Sequence, residues 1–178
     1  DQPLPPPAAD EITRQFVKRW TMPDFQALTA EQLIGRSATN GETVFNQAGC
    51  IKCHRIKDKG AKLGPELSDV NKRFKGAKLV QQVLAPSSEI NKQYQTWIAV
   101  RDDGTVLSGL MTKQNETSIT LLPNPLKPDQ VVTINKEQID ELIPSKLSTM
   151  PDGLLMTFSK EEILDLLAFI QQNGGGNQ

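Results

Sequence analysis

The sequence is poor in the residues that most often carry chemistry: 178 positions hold two cysteines, one histidine, one tyrosine and two tryptophans, with aromatics at 5%. Two cysteines exclude the multi-bridge framework of a disulfide-stapled secreted domain. One histidine excludes any centre that needs two imidazoles. A structural zinc site wants about four thiolate or imidazole ligands, more than the chain's thiols and imidazole together supply. No stretch approaches the roughly 18 consecutive apolar residues of a membrane span. The numbering opens at Asp1 with no basic region leading into an apolar run, so neither an anchor nor a signal peptide is visible. A net charge of −1 argues against a general nucleic-acid binder.

What is present is concentrated. Residues 50 to 54 read CIKCH, which places every thiol and the lone imidazole in one pentapeptide. Its surroundings have the length of one ordinary domain, or of a small domain carrying an elaboration. The hydrophobic share, 37%, is slightly thin for a globular core, a deficit that a bound apolar group would offset. Four readings of the cysteine pair compete. Zinc lacks a ligand. A thioredoxin-like dithiol opens a helix after a strand, whereas the segment before Cys50 reads as helix. A disulfide closing so short a loop constrains little of the unfolded chain and has no use for His54. Covalent haem attachment uses all three residues, and C-x-x-C-H is its signature: the thiols of Cys50 and Cys53 add to the two vinyl groups of the porphyrin, and the imidazole of His54 then lies beneath the iron as proximal ligand.

Along the chain, DQPLPPPAAD reads as an extended linker, and Ile12, Phe16 and Trp20 have the spacing of a helix capped by Asp10. Residues 1–20 are thus expected to be linker and the start of a helical extension. TAEQLIGR predicts a second helix with a capping box at Thr29 and Gln32. Asn40 is the expected cap of a short helix running into the motif, and KGAKLVQQVLAP predicts another, ended by Pro86. YQTWIAVR, TVLSGLM, TSITLL and QVVTI read as strands, with a fifth near Gln138 to Ile143. Ser159 and Glu162 form another capping-box pattern ahead of a broadly apolar helix ending near Asn173. The expected fold is mostly α, with an antiparallel sheet or barrel inserted over about residues 93–146 between haem-bearing parts 37–92 and 147–172. Charge is uneven as well. Between Lys52 and Lys78 the basic residues are Lys52, Arg55, Lys57, Lys59, Lys62, Lys72, Arg73, Lys75 and Lys78, against Asp58, Glu66 and Asp69.

With His54 used, a second axial ligand has to be a softer group, and the thioethers are Met22, Met111, Met150 and Met156. Met22 precedes the motif, Met111 ends a predicted strand, and Met156 has the spacing of an apolar wall. Met150 sits in STMPDG, a loop stiffened by Pro151, where little ordering remains to be done once sulfur meets iron.

GETVFNQAGCIKCH, LGPEL, STMPDGLL and SKEEILDLLAFI together resemble the class I cytochrome c plan. NKRF, LAPSSEINKQYQT, DDGTVLSG and MPDGLL resemble, more closely, the haem-binding cytochrome c domain of planctomycetes and verrucomicrobia, often found at the end of large secreted dehydrogenase-like proteins. The DGTVLSG stretch is also similar to small Sm-like barrels. The resemblance implies that Pro65 offers its carbonyl to Nδ1 of His54. It implies a propionate contact for Arg73, which reads equally as a solvated basic residue, and for Tyr94 and Trp97, which otherwise simply open the sheet. It implies a single haem c, electron transfer and not catalysis, a periplasmic or exported location, and a redox partner such as a dehydrogenase domain. The basic segment, read from its charge, either steers an acidic redox partner or is an ordinary solvated loop. The alternatives are a haem enzyme or gas sensor with a labile or absent Met150, and a structural module whose redox activity is incidental.

Overall fold

The computed structural model describes residues 14–173, so the expected cap at Asp10 and the apolar position Ile12 lie outside the described residues. Over 14–20 the expected helix does not form; the segment has no regular secondary structure, and Phe16 is 67% exposed. Distant partners capture the backbone instead. The amides of Val17 and Lys18 donate to the Met156 carbonyl at 2.8 and 3.1 Å, and the Trp20 indole N–H donates to the Phe158 carbonyl at 3.0 Å. The second expected helix is likewise reduced, to the 3-10 turn Glu31–Leu33. One arm of its capping box survives, the Thr29 amide donating to Gln32 Oε1 at 2.9 Å.

Helix α1 (Ala38–Gln47) starts earlier than Asn40, because Ser37 is an equally good cap and accepts from the Asn40 amide at 3.1 Å. Its buried Val44 and Phe45 face the core. Gly49, at φ 76°, ends it in the left-handed region, and the chain enters the 3-10 turn Cys50–Lys52. A small hairpin follows, β1 (Arg55–Ile56) and β2 (Lys59–Gly60). Helix α2 (Ala77–Leu84) buries Leu79 and Val80 and stops ahead of Pro86.

The five expected strands form: β3 (Thr96–Arg101), β4 (Val106–Gln114), β5 (Ser118–Leu122), β6 (Val132–Asn135) and β7 (Ile139–Pro144). They make one antiparallel sheet in the order β6-β5-β4-β3-β7, the last strand returning beside the first. Alternation puts Ala99, Ile119, Leu121 and Ile134 into a core of their own. Helix α3 (Lys160–Asn173) carries the predicted capping box with both arms made: the Ser159 amide donates to Glu162 Oε2 at 2.8 Å and the Glu162 amide to Ser159 Oγ at 3.3 Å. Helix and strand share the described chain almost evenly. The expectation of a mostly α protein is corrected, because residues 14–36 contribute no α-helix.

α1 and α3 cross at close range. The Phe45 and Phe169 rings meet in a tilted pair, centroids 5.6 Å apart and planes at 55°, and Gly41 faces Asp165 and Phe169 with no room for a side chain. This crossing and α2 build the larger core, from Phe25 and Leu33 through Val44, Phe45, Cys50 and Val80 to Ile170. The segment from Arg14 straps it from outside. Arg14 pairs with Glu162 and lies over the Phe158 ring at 4.1 Å.

Burial raises the Glu162 pKa, but the Ser159 amide and the Arg14 guanidinium outweigh it and hold the carboxyl below its ordinary value. In the unfolded chain it returns to that value. Its contribution is therefore present above the ordinary carboxylate range and lost as pH falls through the lower folded value. Glu162→Gln is expected to flatten the acid limb of thermal stability against pH; an unchanged limb refutes the coupling.

Candidate haem-attachment site

The site is built by one turn and the loop folded over it. Within the turn, the amides of Cys53 and His54 donate to the Cys50 carbonyl at 3.2 and 2.8 Å, so the two thiols and the imidazole are held in register by a shared acceptor. Cys50 is buried, Cys53 half-buried, and both are free thiols. The chain then doubles back. The amides of Leu63 and Gly64 donate to the Cys53 carbonyl at 3.0 and 2.8 Å, and that of Leu67 to the Arg55 carbonyl at 2.8 Å.

This loop brings the Pro65 carbonyl within 2.8 Å of His54 Nδ1. A carbonyl only accepts, so Nδ1 carries the proton and the lone pair of Nε2 is left free to ligate. Gly64 lies against the ring: a Cβ there would sit 3.0 Å from Cε1 and 3.2 Å from Nδ1. Burial lowers the His54 pKa, with the Pro65 hydrogen bond opposing, so the ring is neutral near neutral pH, as a metal ligand must be. Burial also pushes the Cys50 thiol up to about 11 and raises Cys53. Neither is the activated thiolate that a dithiol oxidoreductase needs. Among the described residues no group of three or more His, Cys, Asp or Glu side chains could hold a metal ion, which leaves the zinc reading without a site.

The other predicted residues are placed differently. The Tyr94 hydroxyl donates to the Gly64 carbonyl at 3.1 Å, which brings it to the histidine loop. Arg73 is exposed, its guanidinium 3.4 Å from the Glu66 carbonyl and 5.7 Å from the Phe74 ring centroid. Trp97 packs against the sheet core. Met150 is half-buried in a separate loop: its amide donates to Ser148 Oγ, and the Ser148 amide donates to Ser87 Oγ, both at 3.1 Å. Sequence reasoning missed Gly64 as the rest for the imidazole and Ser87 as the tether of the methionine loop. Gly64 had a signal, its place directly before the proline that faces the histidine; Ser87 had none.

The cytochrome c family model matches residues 38–143, more than half of the chain. The chain belongs to the cytochrome c family. No curated protein matches it. The cofactor of this cytochrome is haem c, covalently attached, and its function is haem-based electron transfer. Cys50 and Cys53 are the two thiols that fit the attachment, and the free Nε2 of His54 beside them fits an iron ligand. The family match stops before Met150. Among the described residues no helix is long and apolar enough to cross a membrane.

Proposed function

We propose that this cytochrome moves single electrons with His54 and Met150 as the two axial ligands of a haem held by Cys50 and Cys53. When bound, the haem iron supplies a one-electron couple, and with both axial positions taken by protein it offers no open place for a substrate. The observation that carries the reading is the His54–Pro65 hydrogen bond of 2.8 Å, which fixes the ring and strengthens Nε2 as a donor. Met150 is supported by elimination among soft ligands and by its loop, stiffened by Pro151 and pinned at Ser148. We read the whole as the class I plan, with a domain over 21–178 and a sheet module inserted at about 93–146.

Absorption spectroscopy of the holoprotein tests this. A low-spin ferric spectrum with the long-wavelength sulfur-to-iron band is expected. A high-spin spectrum that responds readily to carbon monoxide would overturn the assignment of Met150 and favour a gas-binding role.

The motif resemblance further supports membership of the planctomycete and verrucomicrobial type, an exported location and service to a dehydrogenase. The basic segment suits such a partner. Arg55, Lys59 and Lys72 are paired with Glu66, Glu42 and Asp69, while Lys52, Lys57, Lys62, Lys75 and Lys78 stand exposed. Charges so placed accelerate encounter with an acidic surface, and salt screens them. Electron-transfer rates with an acidic partner are expected to fall as ionic strength rises, and Lys62→Glu with Lys75→Glu to remove most of that dependence; rates flat in salt would sink the steering. Arg73, exposed beside this loop, is our candidate for a propionate contact. Tyr94 commits its proton to Gly64 and Trp97 its ring to the sheet.

A further inference from the structure

Tyr94 is the chain's sole tyrosine, and it stands where the helical part hands over to the sheet. It closes the 3-10 turn Lys92–Tyr94, capped by Asn91, whose side chain accepts from the Gln93 amide at 3.0 Å. Strand β3 starts just beyond, at Thr96. From this half-buried position the hydroxyl reaches back to the Gly64 carbonyl at 3.1 Å. Gly64 is thereby held at both ends, its amide by the Cys53 carbonyl at 2.8 Å and its carbonyl by Tyr94. Its Cα lies against the His54 ring. The next carbonyl along, that of Pro65, is the one that receives the His54 Nδ1 proton. Proline has a fixed φ, so the position of that carbonyl carbon follows closely from the orientation of the Gly64–Pro65 peptide unit, and only ψ of Pro65 is left to turn its oxygen.

We propose that Tyr94 is a positioning residue for the proximal ligand: by anchoring Gly64 it sets the strength of the His54–Pro65 hydrogen bond, and through it the donor power of Nε2 and the reduction potential. The proposal rests on ligation by His54 and is independent of Met150. A strong Nδ1–H···O bond places electron density on the imidazole and favours the oxidised iron; a slack one favours the reduced iron. Tyr94 also fastens the entrance of the sheet module to the histidine loop. A residue that only held the fold together would cost stability and leave the potential where it was.

The test uses the holoprotein with Tyr94→Phe, which keeps the ring and removes the donor. At a fixed poise of the redox buffer, the ratio of reduced to oxidised haem is expected to rise about threefold, less than the full worth of one hydrogen bond. The His54 Nδ1 proton resonance should move toward a weaker hydrogen bond, while covalent attachment and the axial bands are retained. Because no other tyrosine is present, 3-fluorotyrosine can be placed at 94 biosynthetically; it keeps the hydroxyl and should keep the potential close to wild type. A fall in melting temperature with potential and resonance unchanged would overturn the proposal, as would a fluorotyrosine protein that behaves like the phenylalanine variant. Wild-type His54 protons without paramagnetic shifts would instead show that His54 is not a ligand, and the proposal would fall together with that reading.

Discussion

Replacing Met150 with alanine is expected to convert the ferric haem from low to high spin while leaving it attached through Cys50 and Cys53. The expectation rests on what else could reach the vacated side of the iron. The only imidazole is already turned toward Pro65. Met111 packs against the core of the sheet, and Met22 packs against the larger core. Met156 lies against Gly153, its Cε 2.8 Å from where a Cβ would stand there, and its carbonyl receives the amides of Val17 and Lys18. None of the three is free to substitute without dismantling its own contacts. Water is then the incoming ligand near neutral pH, the sulfur-to-iron band disappears, and carbon monoxide binds rapidly to the reduced protein. The potential falls as well, because a thioether favours the reduced iron. An alanine variant with the wild-type spectrum would show that Met150 is not a ligand. A wild-type protein already high-spin would point to gas binding or catalysis at an open iron.

How much of this was legible in the sequence depended on the range of the interactions involved. The pentapeptide CIKCH needs only its own turn to bring thiols and imidazole together, so the cofactor could be read from spacing. The capping box at Ser159 and Glu162 and the alternation of β3 to β7 are similarly local. Over residues 14–20 the same helical spacing misled, since the donors of Val17, Lys18 and Trp20 find acceptors at Met156 and Phe158, far along the chain. Thr29 and Gln32 show the intermediate case: the predicted contact forms, yet it closes only one turn and too little follows to propagate a helix. At the site itself, the resemblance suggested a propionate contact for Tyr94. Its hydroxyl meets the Gly64 carbonyl, a pairing that no periodicity encodes.

The helix crossing that frames the motif makes the other large prediction, for Gly41→Ala. Local propensity points one way: alanine inside a helix is favoured over glycine by about 1 kcal/mol. Packing points the other. A Cβ at Gly41 would stand 2.1 Å from the backbone oxygen of Asp165 and 2.6 Å from Cβ of Phe169, and neither is the end of a flexible side chain that could swing aside. The two helices have to separate, which loosens the Phe45–Phe169 contact and the Arg36 pairs to Glu161 and Asp165 at 2.6 and 2.9 Å. Overpacking typically costs about 1–3 kcal/mol and occasionally more; against a backbone oxygen we expect about 4 kcal/mol, a net loss of about 3 kcal/mol after the propensity gain. For a chain of this size that lowers the melting temperature by roughly 10 °C. Gly104→Ala is the control. Its left-handed φ of 79° carries strain, but nothing lies within 4 Å of its Cβ, so its cost should be about 1 kcal/mol. Because α1 leads through Gly49 directly into Cys50, the displaced helix should also lower the yield of covalently attached haem. A Gly41→Ala holoprotein as stable as wild type in denaturant melts would mean that α1 and α3 do not meet at this position.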